Sequence, residues 1–276
     1  MRHNRKRMKN MRNEMSEEIN EIEPSTLWLF DKRDNSAGQT GWYRGNTPTQ
    51  VVSQCLLRCT RRGDVVLDPF FGSGTTGFDA LRRGRLVIGV ELQRSLVRRV
   101  AKELHNRYPS KVNNWLLLAG DCRSEAVIAR VKERLRYWNK SAQLLFLHPP
   151  YYNMIRFSED PRCLSNTSDL ESFLEALEGI VVNWVRLLNE NGSVALVMGD
   201  MYREGEWIPL GFLAMERLRR MNELKLHAII VRSIRNNHAL RDREEEWKRF
   251  ATRNNLFVYG HEYVFLFKRS LCQADL

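Results

Sequence analysis

Two short stretches hold residues of the kind that do chemistry. "DPFFGSGTT" at 68–76 ends an apolar run and sets Gly72 and Gly74 where the backbone turns sharply and approaches a ligand closely, with Thr75 and Thr76 placed to open a helix. It lacks the Gly-Lys-Ser/Thr of a Walker phosphate loop and the Gly-x-Gly-x-x-Gly of dinucleotide binding. Glu91 and Asp121 end the next two apolar runs. Asp68, Glu91 and Asp121 therefore stand at three successive strand ends, on the rim where open α/β sheets bind ligands. This set of acids suits a ligand bearing a ribose and a positive charge. The second stretch, "FLHPPYYN" at 146–153, stops a buried strand with Pro149 and Pro150 and places His148, Tyr151 and Tyr152 around them.

The elements that position these residues follow from the apolar runs. "DVVLDPF", "LVIGVEL", "WLLLAGD", "LLFLHPP" and "SVALVMGD" are short and lack polar alternation, as strands of a parallel sheet buried on both faces do. Helical stretches separate them: "TTGFDALRRG", "SLVRRVAKELHNRY", "SEAVIARVKERLRYW" and "DLESFLEALEGIVVNWVRLLN", the last with Ser168 and Asp169 as caps. The alternation predicts an α/β fold, a doubly wound, mostly parallel seven-stranded sheet of Rossmann-like type. "LKLHAIIVR" and "HEYVFLFKR" supply its antiparallel C-terminal edge. Residues 1–24 read as a basic flexible arm and 25–276 as one domain. Within it, the loop 152–168 and the charged insertion 233–260 are candidate substrate or partner elements; a solvated helix is the other reading of the insertion.

The formal net charge is +11 and the pI about 9.7, so the surface field draws in polyanions, with nucleic acid the leading partner class. No apolar run approaches the roughly 18 residues of a spanning helix, so no membrane partner is expected. The five cysteines, Cys55, Cys59, Cys122, Cys163 and Cys272, contain no Cys-x-x-Cys pair. That argues against a disulfide framework and a zinc ribbon, and leads to the expectation of a reduced, cytoplasmic setting without a metal site.

"DPFFGSGTT" followed by "HPPYY" resembles the amino-methyltransferases of DNA, which use S-adenosylmethionine to methylate adenine at N6 or cytosine at N4. "WYRGNTPTQ" at 42–50 resembles the segment that closes over the cofactor's methionine end, and "GD" at 199–200 ends a later strand in such enzymes. The resemblance implies that Asp68, Gly72 and Gly74 hold the methionine part, Glu91 the ribose and Asp121 the adenine, with Phe70 packing against the cofactor. Tyr43, Asn46, Thr47 and Thr75 complete the implied cofactor set. It further implies catalysis by His148, Pro149, Pro150 and Tyr151 on a base swung out of its stack. The Pro149 carbonyl would accept one amine hydrogen and the residue at 148 another, which stabilises charge developing on the nitrogen. Tyr152, Arg156, Arg235 and Asn236 are the candidate substrate contacts.

His148 departs from the family, which usually carries Asp, Asn or Ser at that position. A neutral histidine has an acceptor nitrogen and a protonated one has none, so activity is expected to fall on acidification toward a pKa near 6.5. The identity at 148 leaves the target base open; adenine N6 is placed ahead of cytosine N4 on frequency alone. Carbon-5 cytosine methylation is disfavoured because it needs a cysteine nucleophile and the chain has no Pro-Cys pair. Methylation of RNA, for example at guanine N2, and a non-catalytic nucleic-acid-binding role are the alternatives. Restriction-modification is one of several biological settings that fit. Without a visible recognition domain, a homodimer would add DNA contact area.

Overall fold

In the computed structural model the described residues are 18–30, 34, 42–43, 45–234 and 244–270. They form an eight-stranded sheet in the order β1-β9-β10-β6-β5-β2-β3-β4 and a separate two-stranded hairpin, β7-β8. The strands are β1 (Leu27–Trp28), β2 (Val65–Asp68), β3 (Leu86–Glu91), β4 (Trp115–Ala119), β5 (Ala142–Leu147), β6 (Leu188–Met198), β7 (Met201–Arg203), β8 (Glu206–Ile208), β9 (Leu224–Ser233) and β10 (His261–Arg269). The five apolar runs are β2 to β6, all parallel to one another. β10 is the antiparallel strand and lies between β6 and β9. Beyond β9 runs the two-residue β1, which no sequence pattern announces.

The unbroken apolar character of these runs has a direct cause. Val65 and Leu67 of β2 pack on one face with the helices Glu125–Trp138 and Leu170–Val185, while Val66 packs on the other with Thr49–Cys59, Thr75–Arg82 and Arg94–Arg107. Successive side chains of a strand point to opposite faces, so a sheet covered on both sides admits no polar alternation. Asp169 caps its helix by accepting the Ser172 N–H at 2.8 Å; Ser168 lies one residue outside it.

Chain order fixes where a ligand can sit. From β2 the chain moves outward through β3 to β4, then returns past β2 to place β5 on its other side. Adjacent strands whose connections leave in opposite directions open a crevice at their carboxyl ends. "DPFFGSGTT" and "HPPYYN" both stand at that crevice.

At the opposite end of the domain, residues 18–23 pack against the sheet's flank. The fully buried Arg85 donates to Glu18 at 3.0 Å, Arg83 pairs with Glu21 at 2.6 Å, and the Glu23 carbonyl receives Arg58. The last part of the expected N-terminal arm is thus tied to the fold; residues 1–17 lie outside the described residues. The charged insertion contains a helix, Glu244–Arg253, that exposes Trp247 and Phe250. Among the described residues no helix is long and apolar enough to cross a membrane.

Candidate active site

A cavity of about 1070 Å³ opens at the carboxyl ends of β2 and β5. Tyr43, Asn46, Thr47, Asp68, Phe70, Gly72, Thr75, Glu91 and Asp121 line it, and so do His148, Pro149, Pro150 and Tyr151. The structure therefore brings the two motifs to one hollow. Gly74 is the exception among the glycine-turn residues. It shapes the turn from behind: its φ of 82° suits glycine, and a Cβ there would come within 2.7 Å of Val100.

The acids divide by their surroundings. Glu91 accepts the Gly72 N–H at 3.0 Å through one carboxylate oxygen and the Gln93 N–H at 2.9 Å through the other. Glu91 also lines the cavity, so its carboxylate is an acceptor on that wall. Asp68 accepts the Phe70 N–H at 2.9 Å and is buried, and among the described residues no cation pairs with it. Burial pushes its pKa up to about 7, partly offset by hydrogen bonds from Thr76 and Phe70. A buried carboxyl without a counter-charge, facing a large cavity, fits a ligand that brings its own positive charge. Asp121 is already engaged by Arg123, whose Nε and Nη2 reach its oxygens at 3.0 and 2.9 Å. Arg123 also donates to the Arg162 carbonyl at 2.7 Å, which ties this rim to the loop 152–168.

That loop forms the roof. Phe157 stacks on Tyr43 at 6.2 Å between centroids, its carbonyl accepts Gln93 Nε2 at 3.2 Å, and its ring closes on Gly45 so tightly that a Cβ there would lie 2.9 Å away. Neither Phe157 nor Gln93 is recognisable in the sequence, because their roles depend on two loops meeting over a third element.

Around the proline pair lies a chain of polar contacts. Thr47 Oγ1 is 2.6 Å from His148 Nδ1, His148 Nε2 is 3.3 Å from the Tyr151 hydroxyl, and that hydroxyl donates to Glu262 at 3.1 Å. Glu262 pairs with Arg232 at 2.7 Å, both nearly buried and directly opposite each other across β10 and β9. The ring of Tyr151 passes beside Gly199, where a Cβ would meet Cε2 at 3.2 Å. Burial pushes the His148 pKa down; the Glu262 carboxylate acts against that shift and Arg232 with it.

Among the described residues none of the expected substrate contacts lines the cavity. Tyr152 is a correction: it is buried at 1% exposure, does not line the cavity, donates to the Ser168 carbonyl at 3.3 Å and packs on Phe173. Its φ of 48° reverses the chain after Tyr151, so adjacent tyrosines part company. Tyr152→Ala is accordingly expected to cost roughly 3–5 kcal/mol in urea unfolding, as loss of a core aromatic does, with the ligand affinity of the folded fraction retained. Arg156 is also corrected: it points to solvent, paired with Glu159 at 2.5 Å, outside the cavity lining. Arg232, three residues before Arg235, is held in the buried pair with Glu262. Arg235 and Asn236 lie outside the described residues. The four described cysteines are free and buried.

Comparison with known proteins bears on the first of the two motifs. Residues 1–103 match the N6_N4_Mtase family model, described as DNA methylase. The match includes the glycine turn and Glu91 and ends before the proline pair. The type II methyltransferase M.Cfr9I of Citrobacter freundii is 40% identical over 67 residues, 24% of this chain and 21% of that protein. M2.DpnII of Streptococcus pneumoniae, another type II methyltransferase, is 39% identical over 66 residues, 22% of this chain and 25% of that protein. The matched stretches thus span about a fifth to a quarter of these curated relatives. Among solved structures, the [4+2]-cyclase SpnF is 14% identical, covers 80% of both chains and superposes with a TM-score of 0.50, a likeness of fold. Over residues 1–103, the segment that carries the glycine turn, the chain is similar to the DNA methylases of this family.

Proposed function

We propose that this chain transfers a methyl group from S-adenosylmethionine to an exocyclic amine of a base in DNA, adenine N6 ahead of cytosine N4. The observation that carries the reading is the meeting of the two motifs at the β2/β5 crevice, with a buried, unpaired Asp68 on one side and the proline pair on the other. S-adenosylmethionine, when bound, supplies a methyl group activated on a sulfonium. Asp68 and the turn at Gly72 would hold its charged amino-acid end, and Glu91 its ribose. Arg123 would leave Asp121 with its outward lone pairs for the adenine.

The chain's own part in the reaction is to orient the amine. An exocyclic amine is a poor nucleophile because its lone pair is delocalised into the ring. Acceptors fixed before the reaction hold the amine hydrogens so that this pair faces the methyl group, and they stabilise the positive charge that grows on nitrogen. Pro149 lines the cavity just past the end of β5, and its carbonyl would accept one of these bonds. Proline adds no competing N–H and fixes φ at the turn.

Methyl transfer from labelled S-adenosylmethionine to duplex DNA, single-stranded DNA and total RNA, with digestion of the product to nucleosides, tests the reading. Label in N6-methyladenine or N4-methylcytosine of DNA is the expected result. Label confined to RNA would move the assignment to an RNA methyltransferase, and cofactor binding without transfer would leave a binding protein with this fold.

A further inference from the structure

His148 stands where the family usually carries a residue that is an acceptor without further arrangement. Imidazole has no such fixed character. In its neutral form one ring nitrogen donates and the other accepts, and the partner at one nitrogen decides the role of the other. The contacts around His148 settle that choice by a chain of necessity that starts at Glu262.

A carboxylate in an ion pair is an acceptor only. Glu262 is such a group, 2.7 Å from Arg232. The Tyr151 hydroxyl has one hydrogen and gives it to Glu262 at 3.1 Å. Its oxygen therefore meets His148 Nε2, 3.3 Å away, as an acceptor, so Nε2 carries the ring hydrogen. Nδ1 is then the acceptor and takes the Thr47 hydroxyl hydrogen across 2.6 Å. With that hydrogen spent, the Thr47 oxygen meets any further partner as an acceptor. Thr47 lines the cavity, so the sense of the whole chain is expressed on the cavity wall.

We propose that Glu262, braced by Arg232, is a positioning residue that fixes the Nε2–H tautomer of His148 through Tyr151 and so makes the Thr47 edge of the cavity an acceptor, matched to a base amine and opposed to a base carbonyl. The proposal rests on the amine-methyltransferase reading above and adds to it the device by which a histidine does the work of Asp, Asn or Ser. The charged and titratable groups around the ring are Tyr151 on its own strand end, Glu262 on β10 and Arg232 on β9. Burial and Arg232 favour the neutral ring, and the Glu262 carboxylate opposes them only in part.

Nitrogen-15 NMR of the full chain labelled at histidine, with the His148 signals assigned by their loss in His148→Asn, reads the tautomer without cofactor or substrate. Wild-type protein at pH 8 is expected to carry the hydrogen on Nε2. Glu262→Gln puts in a carboxamide that can donate as well as accept, and Tyr151→Phe breaks the chain while leaving the Glu262–Arg232 pair intact. Both variants are expected to shift the ring toward a mixture of tautomers. Both should lower kcat by about 10- to 100-fold, with the dissociation constant for S-adenosylmethionine within about twofold of wild type. If Glu262→Gln fails to fold, Tyr151→Phe and the wild-type spectrum carry the test. A wild-type ring with its hydrogen on Nδ1, or a tautomer and kcat unmoved in Tyr151→Phe, overturns the proposal. A wild-type Nε2–H ring in a protein that methylates no nucleic acid supports the positioning role and overturns the methyltransferase reading, so the two failures are separate.

Discussion

Asp68→Asn is expected to weaken binding of S-adenosylmethionine by about 30-fold to several thousandfold while making the ligand-free protein more stable at pH 8. Both effects come from one buried carboxyl. Its pKa, pushed up to about 7, lies well above the unfolded value near 3.9. The native state therefore holds more protons than the unfolded state between these two values, and stability declines as pH rises through that window. Above pH 7 the folded protein carries an uncompensated buried charge, which costs a few kcal/mol. Asparagine has no charge to bury, and the denaturation midpoint of the variant should rise at pH 8 and match wild type near pH 4. A cationic ligand supplies the missing partner. Removing one member of a buried charge pair costs about 2–5 kcal/mol, which is the loss of affinity given above.

The same carboxyl sets the pH dependence of binding. Below pH 7 Asp68 is increasingly protonated in the free protein, and the ligand must displace that proton. Affinity should fall by up to about tenfold per pH unit as pH drops below 7, with proton release on binding measurable by calorimetry in buffers of different ionisation enthalpy. In Asp68→Asn the dependence should flatten. A wild-type affinity constant from pH 8 to pH 5.5 would place the cationic end of the ligand elsewhere.

The parts of the site that were legible in the sequence are those set by a single strand end. Asp68, Gly72 and Glu91 are recognisable because a buried parallel strand must stop, turn and expose its last residue at the rim. The doubly wound, mostly parallel sheet also follows from the alternation of strand and helix, whereas the order of strands around the crevice is seen only in their pairing. What stayed hidden depends on register and on loop meetings. Glu262 is the second residue of a strand that is otherwise apolar to Phe267, an anomaly visible in "HEYVFLFKR"; its partner Arg232 is identified only once β9 and β10 are aligned, because a one-residue slip would put another side chain opposite. Tyr151 and Tyr152 look alike as letters. A single left-handed residue sends one to the cavity and the other into the core. Phe157 and Gln93 bridge segments 64 residues apart and carry no local pattern at all.

His148→Leu is expected to lower kcat by about 100- to 1000-fold, with the KM for S-adenosylmethionine changed by less than about threefold, and His148→Asn is expected to recover to within about tenfold of wild type. Leucine fills much of the same space but takes no hydrogen from Thr47, so the hydroxyl can turn its hydrogen into the cavity and confront the amine with a donor. Asparagine has a carbonyl oxygen that can accept. Protonation of the histidine should reproduce the leucine defect, because both ring nitrogens then donate and Nδ1 gives a hydrogen to Thr47 where it had received one. The acid limb of kcat therefore reports His148, whose pKa burial holds below the ordinary imidazole value near 6.5. Activity at saturating cofactor should hold through pH 6.5 and fall only at more acid pH, a lower onset than residue type alone suggests. At limiting cofactor the fall should begin near pH 7, where Asp68 takes up its proton. Two acid limbs, one confined to cofactor affinity and one to turnover, distinguish the two halves of the site. A single limb shared by kcat and affinity, unchanged in His148→Asn, would mean that the imidazole does not set the polarity met by the amine.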